Sequence, residues 1–158
     1  MATSTTLRSR EELAAREEPQ VVERPTSSIG FWLLRLTFGV LPIVAGVDKF
    51  FDKLANWDKL IWHRIPDALG MSVHTFSHVA GGIEIAAGLL VLFAPRIGAP
   101  LVAIWLAGIT VNLLALNLDE GEYWAIMMRD AALAGAAASL AFFAWARGPR
   151  RRRVIDLR

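Results

Sequence analysis

The chain has 158 residues, enough for one domain, with 54% hydrophobic residues, a mean hydropathy of +0.41 and a formal net charge of +2. That balance excludes an ordinary water-soluble domain. Cysteine is absent, which excludes disulfide exchange, thiolate-held metals and iron–sulfur clusters, so any redox role needs a bound cofactor or a partner subunit.

Residues 1–28 mix Arg8, Arg10, Arg16 and Arg24 with Glu11, Glu12, Glu17, Glu18 and Glu23. They lack the apolar core and cleavage site of a signal peptide, and the expectation is a disordered cytoplasmic tail. A transmembrane helix needs about 20 mostly apolar residues. Four windows meet that length, at 29–49, 73–93, 98–118 and 123–145, with the first expected to act as an uncleaved signal anchor. The fold class expected is all-α: an integral membrane four-helix bundle over residues 29–146, followed by a basic cytoplasmic tail at 147–158.

In the first span Arg35, Gly39, Pro42, Gly46 and Lys49 fall within roughly 40° of one line at 100° per residue. Glycines admit a neighbouring helix closely, so this stripe should face the bundle. The connection at 50–72 repeats Phe50, Leu54, Trp57 and Ile61 at helical spacing. It reads as an amphipathic helix in the membrane interface, with Trp57 and Trp62 as aromatic anchors and Pro66 ending it. Either it caps the bundle or it is a lid over an outward-facing site.

The second span carries a matching stripe of Ser77, Gly81, Glu84 and Gly88, with His74 and His78 beside it. Glu84 lies near mid-span, where an ionisable group calls for a partner. The expected partner is Arg35, in a buried pair that either fixes packing or serves proton relay or ligand binding. The third span brings Asn112 on a face with Trp105 and Gly108, and the fourth brings Arg129 and Asp130. Asp48, Lys49, His78, Asn112, Arg129 and Asp130 thus come from four helices at similar depth. They form either a candidate binding pocket or a network whose charges cancel, Asp48 with Arg129 and Asp130 with Lys49. His74 and His78, one turn apart, lack the carboxylate-rich companion of a metal motif, and no metal is expected.

Four spans put both termini on one side. Eleven basic residues fall on that side against four on the other, so both termini are expected in the cytoplasm. The run from Arg147 to Arg153 follows a span directly, which assigns it to topology and lipid headgroups rather than nucleic acid.

The run RLTFGVLPIVAGVDKFFD, with Arg35, Gly39, Gly46 and Lys49, resembles the first helix of DoxX-like membrane proteins. GGIEIAAGLLVLFAP, with Glu84 and Gly88, resembles their second, and Arg129-Asp130 is compatible with the start of their fourth. The resemblance spans about residues 29–146. It implies a four-helix protein of the bacterial inner membrane, with relatives linked to thiosulfate:quinone oxidoreduction and to oxidative-stress complexes. The expected function is an accessory or anchoring subunit of a membrane redox complex, binding quinone or lipid, with the bilayer, that complex or a second copy as partners. The alternative is a small solute or proton-coupled transporter with a polar path through Arg35, Glu84, Asp130 and Asn112. No catalytic motif is found.

Overall fold

The computed structural model describes residues 26–147. Residues 1–25 of the expected charged tail and the RGPRRRR run beyond Arg147 lie outside the described residues, and 26–28, also expected in the tail, belong to the first helix. Four long helices carry the fold: α1 (Thr26–Asp48), α3 (Val73–Phe93), α4 (Pro95–Glu120) and α5 (Trp124–Ala146). A 3-10 turn (Trp57–Leu60) and the short helix α2 (Arg64–Ala68) lie between α1 and α3. Among the described residues there is no strand, and all four long helices are long and apolar enough to cross a membrane.

The helices form an antiparallel bundle in which α1 packs chiefly on α3 and α4 on α5, with α3–α4 and α1–α5 contacts completing the ring. Outward faces are apolar, with Leu33, Ile104, Val111 and Phe142 all exposed, as a lipid-facing surface requires. Two apolar cores fill the interior. One, at the end holding the termini, joins Phe38, Val91, Val102 and Leu140; the other, at the capped end, joins Leu113, Leu116 and Met127 beneath Leu60 and Trp62.

The stripes read from the sequence meet face to face. Gly39 and Gly46 of α1 lie against Gly88 and Gly81 of α3, and all four glycines are buried. A Cβ on Gly46 would stand 2.5 Å from the Gly81 carbonyl oxygen, so the two backbones are in contact.

The α3–α4 turn is tighter than the gap between the expected windows at 73–93 and 98–118. Pro95 occupies the first turn of α4, where its missing N–H costs nothing and its fixed φ suits a helix, so only Ala94 separates the two helices. Pro100, one turn further on, cannot donate to the Arg96 carbonyl; the Trp145 indole does so instead, at 2.9 Å. Arg96 in turn donates to the carbonyls of Ala144 and Arg147, closing the end of α5. At the opposite end of α4, Gly121 takes the left-handed conformation that ends helices, and Asn117 accepts the Tyr123 amide at 2.6 Å.

The connection between α1 and α3 is helical, as expected, but broken rather than continuous. Asp48 is the reason. Its carbonyl accepts the amides of Phe51 and Asp52, and Asp52 adopts φ 49°, which turns the chain out of the helix. Its carboxylate then collects the amides of Lys53 and Leu54 and the indole N–H of Trp57, at 2.8 to 3.1 Å. Asn56 caps the 3-10 turn through the Lys59 amide.

Candidate functional site

Between the two apolar cores lies a polar layer centred on Glu84. Lys49 Nζ donates to Glu84 Oε2 at 2.7 Å, and Trp105 Nε1 donates to Glu84 Oε1 at 3.1 Å. The Lys49 and Glu84 side chains are only 8% and 6% exposed, so the pair is shielded from its surroundings. The Lys49 ammonium also stands 3.6 Å from the centroid of the Trp57 ring, a cation–π contact that the low dielectric strengthens. One buried cluster thus joins the end of α1, the middle of α3, α4 and the returning loop.

Helix direction explains why Lys49 rather than Arg35 finds Glu84. A helical Cα–Cβ bond tilts toward its own N-terminus. On α1, which runs toward the cap, Lys49 leans back into the bundle; on antiparallel α3, Glu84 leans toward the cap. The two side chains converge. Arg35, on the same helix, leans in the same direction as Lys49, which for it is away from Glu84 and toward the end of the bundle holding the termini, where α3 finishes and its last carbonyls lack helical donors. It donates there to the Leu92 carbonyl and lies 4.7 Å from the Trp32 ring. The Arg35–Glu84 pair expected from residue depth is therefore not formed.

The six residues expected in one outward pocket separate into distinct roles. Asp48, buried, braces the loop as described. Lys49 faces inward as expected, but toward Glu84 and not Asp130. His78 stacks on Phe50, with ring centroids 4.9 Å apart, and its ring stands 4.2 Å from that of His74. Asn112 clamps the cap, accepting the Trp62 amide at 2.9 Å and donating to the Leu60 carbonyl at 2.7 Å. Asp130 is buried and pairs with its neighbour Arg129 at 2.9 Å, so neither Asp48–Arg129 nor Asp130–Lys49 forms. His74 Nδ1 lies 3.3 Å from Asp58 Oδ2, and among the described residues no three histidines or carboxylates are placed to hold a metal ion together.

Trp57 and Trp105 are the members that residue patterning does not assign. Trp57, expected as an aromatic anchor in the interface, turns inward because two partners await it: the Asp48 carboxylate accepts its N–H, and the Lys49 ammonium lies against its π face. Trp105 shares a helix face with Asn112, and that shared face was the available signal. Trp62, the other expected anchor, donates to Asp119 at 2.6 Å.

The Asn112 clamp has a direct consequence. Asn112→Ala leaves the Trp62 amide and the Leu60 carbonyl without partners, a loss of about 1–3 kcal/mol confined to the cap. Hydrogen exchange should rise at residues 57–62 and stay unchanged at Val91 and Leu140 in the distant core.

No family model, no curated protein and no solved structure matches this chain, so its established description is an all-α protein whose four long apolar helices are consistent with a membrane bundle.

Proposed function

We propose that the chain is a DoxX-like accessory subunit that anchors a redox complex in the bacterial inner membrane, with both termini cytoplasmic, and that it holds a lipid. The observation carrying this reading is where the intramembrane polar groups spend their bonds. Asp48 and Asn112 organise the cap, Asn117 organises the α4–α5 turn, and Lys49 and Trp105 both donate to Glu84. A scaffold uses polar groups in this way, to fix register and loop geometry. The imbalance of basic residues supports the orientation.

A quinone fits this cluster poorly. Its carbonyls need hydrogen-bond donors, and the Lys49 ammonium and the Trp105 indole N–H both go to Glu84. On this reading any quinone belongs with the partner subunit. Purification in mild detergent tests the proposal. The expected result is a stoichiometric partner that carries the redox centre, and a chain that always elutes alone would refute it.

The buried Lys49–Glu84 pair also favours a second reading, a proton-coupled carrier, since buried ionisable pairs serve proton relays. That path was expected to include Arg35 and Asn112, which instead bond Leu92 and the cap. Proteoliposome flux that is abolished by Glu84→Gln would support the carrier; unchanged flux would remove it.

A further inference from the structure

Downstream of Asp48 the chain folds back beside α1 and leaves a groove on its lipid-facing side. Ile43, Val44 and Val47 line it from α1, and Phe51 and Leu54 from the returning segment. Phe51 and Leu54 are 66% and 70% exposed, which is unfavourable against water and favourable against an acyl chain. Two charged residues also line the groove, Asp48 and Lys53. The Asp48 carboxylate already accepts from three donors, so its oxygens are turned to the loop and not to a ligand. Among the described residues the Lys53 ammonium has no ion pair or hydrogen bond.

We propose that this groove holds one glycerophospholipid, with its acyl and glycerol portion against Val44, Val47 and Phe51 and its phosphate on Lys53. The position in the span supports this occupant. Val44 and Val47 belong to the last apolar turn of α1, and Lys53 follows the end of the span at Asp48. Apolar wall and cation therefore succeed one another as tail and phosphate do in a lipid. The proposal rests on the membrane reading and on the lipid named above. It is tested on the isolated chain, so its failure is distinct from the absence of a partner subunit.

Native mass spectrometry of the full chain in detergent, with added phosphatidylglycerol, phosphatidylethanolamine or diacylglycerol, supplies the test. One phospholipid of either kind should persist per chain, diacylglycerol should not, and millimolar inorganic phosphate should not compete. Lys53→Gln should weaken retention about fivefold, the typical worth of one basic residue at a lipid surface. Val47→Trp, which fills the groove, should abolish retention, whereas Lys59→Gln should not change it. Lys53 makes no side-chain contact that folding depends on, so its variant keeps the question open even if Val47→Trp misfolds. Equal retention by Lys53→Gln, or diacylglycerol bound as tightly as phospholipid, would overturn the proposal.

Discussion

Glu84→Leu should be the most damaging single substitution in the bundle, lowering stability by about 3–5 kcal/mol, the usual cost of removing one partner from a buried ion pair. The loss does not measure what the pair adds. It arises because the ammonium of the Lys49 side chain, which is 8% exposed, and the Trp105 N–H are left in an apolar layer without an acceptor. Replacing both charges, as Lys49→Met with Glu84→Leu, should therefore recover most of the loss. Glu84→Gln should fall between, since its amide keeps an oxygen for one of the two donors. Reversible unfolding in mixed micelles, titrated with a denaturing detergent, reads all three. A double variant as unstable as Glu84→Leu would show that the loss comes from altered packing and not from stranded charge.

The same set of variants bears on function. If the cluster is only structural, the double variant should keep both the fold and any partner. A double variant that is stable but loses its partner would place the interaction at this layer. Stability and assembly should thus be measured on the same preparations.

What could be read before the structure follows from periodicity, and what could not follows from direction. Gly39, Gly46 and Lys49 share one face of α1, and Ser77, Gly81, Glu84 and Gly88 one face of α3; both faces are buried, because a period of 3.6 residues depends only on the helix itself. Span ends were also legible to within a few residues. Pairing was not. Rise per residue places backbones in depth, but Lys and Arg side chains are long and lean toward the helix N-terminus, which displaced Lys49 inward and Arg35 away from Glu84. The cap is helical as expected, but its break was not legible, for a different reason. Phe50, Leu54, Trp57 and Ile61 keep helical spacing, yet the Asp48 carboxylate competes for the amides of Lys53 and Leu54 and breaks the helix. Asn112, which looked like a pocket residue, binds backbone groups of the cap that no pattern of side chains reveals.

The glycine contacts between α1 and α3 should produce the second large effect. In Gly46→Ala the new Cβ would lie 2.5 Å from the Gly81 carbonyl oxygen, and in Gly88→Ala 2.5 Å from the Gly39 carbonyl oxygen. Neither oxygen can rotate aside, so the helices must separate, at about 1–3 kcal/mol for each overpacked site. Gly108→Ala and Gly135→Ala meet nothing within 4 Å and should be close to neutral, which controls for a general effect of alanine in these spans. The Gly46 and Gly88 substitutions should combine to less than their sum, because a bundle already opened at one crossing relieves the other. Gly46 also lies beside the ion pair: its added Cβ would be 3.1 Å from that of Glu84, while a Cβ on Gly81 would be 3.1 Å from that of Lys49. Separating α1 from α3 therefore lengthens the Lys49–Glu84 contact, and Glu84→Leu should cost measurably less in a Gly46→Ala background than in the native chain. Full additivity of those two substitutions would mean that the glycine contact does not set the geometry of the ion pair.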